Sequence, residues 1–426
     1  MYASFYVHDI PHFDIHPPLG KLIYASVLYF YPSDSTRTQL IYFERNKDAN
    51  LITPTGWQVN TYGSFPYLPL RMISAIFGVL IPIGVYLLAR SLGIGENGSL
   101  LASFISVFEN SLLLHTRLIL LDGMYIVFGL FSLALFFSRS GQKKRNIIAG
   151  LLWGLSLGVK FTAITFIGPV IVAACLKPEF RPRLTPFIIT GLITLLLISS
   201  INSVLFPPQD MLKAMAFFMK DSSPDRIENS IIFRSYPAIG AWALWFPISF
   251  AGYVGTGKIA ITKNIGVLSS WTDWIAGRGT VFYDYVGNYE IGLVGNPIIW
   301  IGVSLSVIFA LILVFFSLSS KYKIRGWRVE GNELKTVVII LAGYLLALSP
   351  FVLVVRRETL GYHYFPALVF GFILLGWSIS HIHLWLNRKG ATRLQVYLIS
   401  GSIIIVIVAG FLANAKYTYG FPLTSF

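Results

Sequence analysis

Charged residues are scarce in this sequence of 426 residues, of which only 12% are Asp, Glu, Lys or Arg. Soluble domains carry about 25%, so the shortage excludes an ordinary soluble fold. Cysteine is almost absent as well. The single Cys175 excludes an internal disulfide and a metal site built from several thiolates. Apolar residues are abundant instead: 55% of the chain is hydrophobic, and the mean hydropathy is +0.68.

Long apolar runs separated by short polar connectors predict an all-α polytopic membrane protein. Segment 19–31 is apolar but too short to cross a bilayer, and we expect it to form an interfacial helix. No internal repeat is visible. Ten spans are predicted, at 69–90, 98–113, 118–138, 146–160, 161–176, 184–206, 296–317, 336–355, 364–384 and 394–413.

The distribution of basic residues predicts the orientation. Five short connectors on one side hold 16 of the 33 Lys and Arg residues, and the positive-inside rule assigns that side to the cytoplasm. The net charge of +14 then reflects topology rather than nucleic-acid binding. Both ends of the chain and two large loops face outward. The predicted division is a partial first outer loop at 1–68, an N-terminal membrane core at 69–206, a large outer loop at 207–295 and C-terminal membrane helices at 296–426.

Several ionisable residues lie at the outward ends of predicted spans, where charge is costly and usually functional. Arginine offers bidentate geometry to phosphate oxygens and lysine a point charge, so a group of such cations predicts a site for a lipid-linked phosphate. The open alternative for each cation is that it reaches out to lipid head groups. The candidate donor-phosphate set is Arg71, Arg117, Lys160 and Arg357, with Tyr362 and His363 as neighbouring hydrogen-bond donors.

Acidic and aromatic residues occur together in the second outer loop, between Trp271 and Tyr289. Trp274 and Asp273 are examples. Such pairs suit the binding of a sugar or a peptide, and they equally suit an aromatic belt at the membrane surface. The sequence leaves both interpretations open.

Four segments, taken in order, resemble the protein O-mannosyltransferases, which are multi-span glycosyltransferases of the GT-C class that use dolichyl-phosphate mannose. They are FDIHPPLGKL (13–22), ENSLLLHTRLILLD (109–122), GLSLGVKF (154–161) and RETLGYHYFPAL (357–368). LVGNPIIW (293–300) and YTYGFPL (417–423) fit the same family. Each segment alone is weak evidence, but the ordered set runs through the whole chain.

The resemblance implies an inverting transfer of mannose from a polyprenyl (dolichyl) phosphate mannose to Ser or Thr hydroxyls of exported proteins. It places the site on the extracytoplasmic face of a prokaryotic plasma membrane, or of the ER membrane in a eukaryote. It implies no cofactor and no metal. The residues that it assigns are Asp14 and His16 on the acceptor side, and Glu109, Asn110, Asp122 and Asn296 as structural or functional motif positions.

The same resemblance predicts a further span and an acidic Asp–Glu motif upstream of Met1, so the catalytic carboxylate is expected outside this sequence and no catalytic residue is assigned within it. The resemblance also predicts a member without a MIR domain, because loop 207–295 has room for short helices at most. Three alternatives stay open: a related transferase that acts on a lipid or glycan, a transporter or flippase, and a non-catalytic homologue. A transporter would show inverted repeats and charges near mid-membrane.

Overall fold

The computed structural model describes most of the chain, and it confirms an integral membrane protein built mainly of helices. The described residues are 2–7, 16–31, 45–46, 51–52, 65–138, 142–205, 269–278, 280–286, 289–318, 329, 331–353 and 359–421.

The helices within these ranges follow one another with short breaks. The α-helices are α1 (Tyr2–Val7), α2 (Leu19–Phe30), α3 (Tyr67–Leu92), α4 (Glu96–Val107), α5 (Asn110–Arg117), α6 (Asp122–Phe137), α7 (Lys143–Val159), α8 (Ile167–Leu176), α9 (Arg181–Leu205), α10 (Trp271–Ile275), α11 (Pro297–Leu318), α12 (Gly331–Leu353), α13 (Phe365–Arg388), α14 (Arg393–Ala413) and α15 (Ala415–Tyr419). Short 3-10 helices cover Phe161–Phe166, Pro178–Phe180 and Gly361–Tyr364.

The number of membrane crossings differs from the prediction. Among the described residues, six helices are long and apolar enough to cross a bilayer, and a seventh crossing results if the bent pair α5–α6 is one span. The count of ten is therefore not confirmed. Predicted spans 98–113, 146–160 and 161–176 fall on shorter helices, and the first of them is interrupted at Glu109, whose carboxylate caps α5 by accepting from the Leu112 amide.

Glycines bring α7 and α9 close together. A Cβ at Gly154 would collide with the main-chain oxygen of Gly191, and a Cβ at Gly150 would collide with that of Phe187. Small residues allow such close helix crossings in membranes, where packing rather than the hydrophobic effect drives association. Helix α13 is the central element, because most of its side chains are buried against its neighbours.

The described part of loop 207–295, which the sequence predicts to face outward, holds the short helix α10, as expected, and also a hairpin that was not predicted. Strands β3 (Val281–Val286) and β4 (Tyr289–Leu293) pair antiparallel. Aromatic and β-branched residues in both strands favour this conformation. Strand β4 lies against α5 and α15. A second, very short pair joins β1 (Arg45–Asn46) to β2 (Leu51–Ile52).

Trp274 follows neither sequence interpretation of the aromatic loop. Its side chain has 0% exposure, its Nε1 donates to Ser269 Oγ at 2.8 Å, and its ring stacks on Tyr364 at 5.9 Å. The indole fills the space between α10, α12 and the 3-10 helix at Gly361–Tyr364. Trp274 is therefore a core residue, neither a ligand-binding group nor part of a belt.

Candidate functional site

The centre of the candidate site is the carboxylate of Asp122, the first residue of α6. Its Oδ1 accepts a hydrogen bond from Lys160 Nζ at 2.8 Å, and its Oδ2 lies 3.1 Å from His115 Nδ1. All three side chains are buried, with at most 5% exposure. A buried ion pair persists only when its geometry and remaining hydrogen bonds are good, so the three groups form one fixed unit.

The bend between α5 and α6 brings this unit together. The two helices meet at 113°, with residues 118–121 between them. Leu118 ends α5 because it adopts an extended conformation, with φ −92° and ψ 162°. Asp122 then starts α6, where the helix dipole favours an acid. Lys160 follows α7 in an extended conformation, with φ −155° and ψ 132°, which ends that helix beside Asp122.

Tyr362 covers the cluster. Lys160 Nζ lies 4.4 Å from the centroid of the Tyr362 ring, and the ring of His115 lies 5.4 Å from it. An ammonium over an aromatic face gains about 0.5–2 kcal/mol. His363 is buried as well, but its Nδ1 lies 3.0 Å from the main-chain oxygen of Leu360. The Tyr362 ring therefore lies beside Lys160, whereas His363 Nδ1 faces its own turn. The predicted role of both residues as donors to a phosphate stays a prediction.

Helix α2, in the segment that the sequence predicts to be interfacial, packs against the bend. Tyr24 Oη donates to the main-chain oxygen of Leu120 at 2.8 Å and lies 2.6 Å from Ser74 Oγ. Burial raises the pKa of Tyr24 to about 12, so the phenol remains a donor at neutral pH. Lys21 is buried, and its Nζ donates to the main-chain oxygen of His16 at 2.8 Å. This contact holds His16 beside the start of α2.

Two of the predicted arginines lie on α5 and α3, which pack together. Arg117 Nη1 donates to the main-chain oxygen of Thr418 at 2.5 Å, and its guanidinium lies 4.3 Å from the centre of the Tyr419 ring. Arg71 lies 5.4 Å from the centre of the Tyr67 ring and within Coulombic range of Arg117. Two neighbouring guanidinium groups make this edge of the site electropositive, which suits a phosphate.

A second buried carboxylate, Glu109, joins α5 to the start of α11. Its Oε2 accepts from Ser111 Oγ at 2.7 Å and from the main-chain nitrogen of Leu112 at 2.6 Å. Its Oε1 accepts from the main-chain nitrogen of Asn296 at 3.1 Å and from Trp300 Nε1 at 2.9 Å. Four donors compensate for the burial of this acid. Glu109 is therefore a structural anchor for the segment that carries Arg117.

Two amide side chains extend this anchor to the end of the chain. Asn296 Nδ2 donates to the main-chain oxygen of Ile407 at 3.0 Å. Asn110 Nδ2 donates to the main-chain oxygen of Phe411 at 3.0 Å and to Thr418 Oγ1 at 2.9 Å. The Asn296 bond fastens α14 to the start of α11, and the Asn110 bonds fasten α14 and α15 to the beginning of α5.

The structure thus groups Asp122, Lys160 and Tyr362 in one cluster. It places Arg71 within Coulombic range of Arg117, which precedes Asp122 by five positions on the other side of the bend. In the described ranges, no three His, Cys, Asp or Glu side chains are grouped so that they could hold a metal ion.

Three positions that the sequence predictions rely on lie outside the described residues. They are Met1, upstream of which the acidic Asp–Glu motif is expected, the acceptor-side Asp14, and Arg357 of the donor-phosphate set. The buried carboxylates Asp122 and Glu109 are both fully engaged in the structure, so neither replaces the expected motif. The location of the catalytic carboxylate before Met1 therefore stays a prediction.

Sequence reasoning missed three contributors to the site: His115, Thr418 and Tyr419. All three stand in segments that the sequence analysis singled out, HTRLILLD and YTYGFPL. The position of His115, two residues before Arg117 and seven before Asp122, is the one signal that could have identified it.

Family models match nearly the whole chain in two parts. Residues 1–207 match the dolichyl-phosphate-mannose-protein mannosyltransferase model, and residues 257–425 match the C-terminal four-transmembrane region of protein O-mannosyltransferase. A curated relative, dolichyl-phosphate-mannose–protein mannosyltransferase 4 of Candida albicans, is 27% identical over 164 residues. That match covers 38% of this chain and 20% of the relative, so it spans much less than two thirds of the relative's length.

Two solved structures share the fold. The S. cerevisiae protein O-mannosyltransferase Pmt1–Pmt2 complex bound to the sugar donor superposes with a TM-score of 0.69 at 15% identity, covering 98% of this chain and 85% of the matched chain. The archaeal oligosaccharyltransferase AglB of Archaeoglobus fulgidus, in complex with an inhibitory peptide and a dolichol-phosphate, gives a TM-score of 0.52 at 14% identity, covering 99% of this chain and 52% of the other. The predicted GT-C architecture is confirmed, and the family models, the curated relative and the shared fold agree with the four motif segments. This chain belongs to the protein O-mannosyltransferase family.

Proposed function

We propose that this chain carries the donor site of a transferase that moves mannose from a polyprenyl phosphate mannose to a Ser or Thr hydroxyl of a protein. The observation that carries the proposal is that Arg71 acts on Arg117 at the end of α5, while the buried Asp122–Lys160 pair lies at the start of α6, directly after the bend, in a member of this family. These groups come from α3, α5, α6 and the end of α7, between positions 71 and 160. Phosphate is the ligand that such a mixture of arginine and lysine recognises best.

The two kinds of cation have different tasks in this proposal. Lys160 is paired with Asp122, which neutralises its charge and fixes Nζ in place, so it offers its remaining N–H groups to a phosphate oxygen. Arg117 is exposed and contributes net positive charge. As the bond from mannose to phosphate breaks, negative charge grows on the phosphate. Donors that are already fixed at that position stabilise the growing charge without reorganising.

The reaction is a single displacement in this proposal. The acceptor oxygen forms a bond to C1 of mannose while the bond from C1 to the phosphate oxygen breaks, and the configuration at C1 inverts. The hydroxyl proton passes to a carboxylate, and polyprenyl phosphate departs. Asp122 does not suit the role of base, because both of its oxygens are engaged. Its task is to position Lys160, and the family resemblance assigns the base to an Asp–Glu motif upstream of Met1.

We place this chemistry at the membrane face that has few basic connectors. Asp122 and Arg117 lie at the end of α6 opposite to Phe137, and the Lys- and Arg-rich connector 177–183 lies near that opposite end. The positive-inside rule then puts the donor site on the extracytoplasmic side. Asp14 and His16 are proposed to face the acceptor, a Ser- or Thr-containing segment of an exported protein.

Transfer from a labelled donor tests the proposal. The full-length protein in membranes is incubated with labelled polyprenyl phosphate mannose and a Ser/Thr-rich peptide, and labelled peptide is expected. Arg117→Ala should raise the donor KM by about 10- to 100-fold, since a charge-assisted contact to phosphate is lost. The donor KM of Arg117→Lys should lie between those of the parent protein and Arg117→Ala, because the charge remains but the bidentate geometry does not.

Lys144→Ala is the matched control. Lys144 is an exposed cation at the other end of the helix bundle, and its removal should leave the donor KM unchanged. If the label appears in lipid rather than in peptide, the proposal that the acceptor is a protein is wrong. An unchanged donor KM in Arg117→Ala would overturn the phosphate assignment.

A further inference from the structure

A cavity lies at the face of the protein opposite to the candidate site. Its volume is about 590 Å³, within the range of about 300–1,000 Å³ that ligand sites occupy. The walls come from the ends of several membrane helices, with Lys177, Glu179, Arg183, Glu333, Trp377 and His381 among the lining residues. We call it the polar cavity. Helix α6 runs from Asp122 to Phe137 between the two sites, a distance of about 22 Å at the rise of an α-helix.

An apolar cleft of about 570 Å³ continues from the polar cavity. The two spaces share Ser91 near the end of α3, the turn residues Gly93, Ile94 and Gly95, and also Ser138. The side chains of Leu87, Phe131 and Leu135 line the cleft. The polar cavity and the adjoining apolar cleft together match a molecule with a polar head and a hydrocarbon chain.

The two cations of the polar cavity, Lys177 and Arg183, are held by neutral groups rather than by direct contact with a carboxylate. Arg183 is 9% exposed, and its Nη1 donates to the main-chain oxygens of Phe136 at 3.0 Å and Ser138 at 2.8 Å. Lys177 Nζ lies 3.5 Å from Thr336 Oγ1. Within the described part of the chain, neither cation forms an ion pair with a carboxylate. Buried charges are usually paired directly, but Arg183 is not, and Lys177 beside it is half-buried. Their wall of the cavity therefore carries positive charge that Glu179 offsets only at longer range.

The acid on the opposite wall is already satisfied. Glu333 Oε1 accepts from Trp377 Nε1 at 3.1 Å and lies 3.4 Å from His381 Nδ1. Glu179 acts on both cations at longer range. Burial lowers the pKa of the Lys177 ammonium from its usual value, and the charge of Glu179 opposes that shift. An anionic group would therefore meet Lys177 and Arg183 without competing with Glu333, and Glu179 would act against it only at longer range.

We propose that the polar cavity binds the phosphate of a membrane phospholipid, with one acyl chain in the apolar cleft. Basic pockets between membrane helices on the cytoplasmic side are suited to such head groups. The fixed guanidinium of Arg183 and the ammonium of Lys177 contact the phosphate oxygens. This site is independent of mannose transfer, because it lies at the other end of the bundle. The lipid acts as a structural ligand that joins α3, α6, α9, α12 and α13.

Lipid retention in detergent tests the proposal. The purified full-length protein is mixed with dioleoyl phosphatidylglycerol, with dioleoylglycerol that lacks the phosphate, or with inorganic phosphate that lacks the chains. Native mass spectrometry counts bound lipid, and thermal unfolding reports stabilisation. We expect phosphatidylglycerol to bind at one site and to raise the unfolding temperature, and we expect neither of the other two probes to do so.

Substitutions distinguish lipid bound in the polar cavity from lipid that surrounds the protein non-specifically. Lys177→Gln should weaken phosphatidylglycerol binding about tenfold, the effect of one lost charge-assisted hydrogen bond, and Lys177→Arg should restore it. Lys144→Gln removes an exposed cation on the same face and should bind as the parent protein does. Ala134→Phe, which fills the apolar cleft, should weaken binding with Lys177 intact.

Three results would overturn the proposal. They are equal lipid retention by Lys177→Gln, Ala134→Phe and the parent protein, equal retention of dioleoylglycerol, and full stabilisation by inorganic phosphate. The last result would identify a soluble anion instead of a lipid.

Discussion

The guanidinium of Arg117 donates to the main-chain oxygen of Thr418, 301 positions further along the chain, at 2.5 Å. The neighbouring ring of Tyr419 lies under the same guanidinium at 4.3 Å. The end of the chain thus fixes the direction of a side chain that we propose as a phosphate ligand. The position of Thr418 depends in turn on Asn110, whose Nδ2 donates to Thr418 Oγ1.

Replacement of Tyr419 should affect donor binding. Tyr419→Leu removes the aromatic face under Arg117, which is worth about 0.5–2 kcal/mol, and should raise the donor KM about three- to tenfold with little change in kcat. Tyr419→Phe keeps the ring and should behave as the parent protein. Tyr397→Leu is the control, because Tyr397 is 70% exposed on α14. Equal KM values for the Leu and Phe variants would contradict this role for the ring.

The Asp122–Lys160 pair should show strong coupling in a double-mutant cycle. Asp122→Leu or Lys160→Met alone leaves one buried charge without its partner, at a cost of about 3–5 kcal/mol in the free energy of unfolding. The loss in the free energy of unfolding of the double variant should be smaller than the sum of the two single losses by about 1–3 kcal/mol. Denaturation in detergent measures stability, and a donor-transfer assay measures function.

Activity should not follow stability in this cycle. The double variant recovers stability but lacks the lysine proposed to contact the phosphate, so it should remain inactive. A fully additive cycle would show that the two charges do not act as a pair.

Glycine at the crossing of α7 and α9 should be indispensable. Gly154→Ala places a Cβ against the main chain of Gly191 and should lower the free energy of unfolding by about 1–3 kcal/mol through overpacking. Gly401→Ala on α14 is the matched control, because a Cβ there would meet open space. That control should be neutral or slightly stabilising, since alanine is the better helix former by about 1 kcal/mol. Thermal unfolding of both variants distinguishes packing from helix propensity.

Individual site residues were predictable from the sequence, but their partners were not. Lys160 and Asp122 stand out because ionisable residues in apolar surroundings are rare. Their pairing spans 38 positions and two helices, so local pattern could not indicate it. The bend at 118–121 was not readable either, because LILL contains neither glycine nor proline. Likewise, Glu109 interrupts an apolar stretch that hydropathy alone reads as one continuous span.

The amino-acid sequence by itself determined the class of the protein, the positions of most helices, the distribution of basic residues and the motifs that identify the family. These properties depend on side-chain polarity averaged over short windows or on ordered motifs. Only the tertiary structure decided that Lys160 is neutralised by Asp122 while Arg117 stays exposed, and that the end of the chain positions Arg117. The physical reason is that charge balance and side-chain direction follow from contacts between residues as far as 301 positions apart, and a linear pattern does not encode which of them meet.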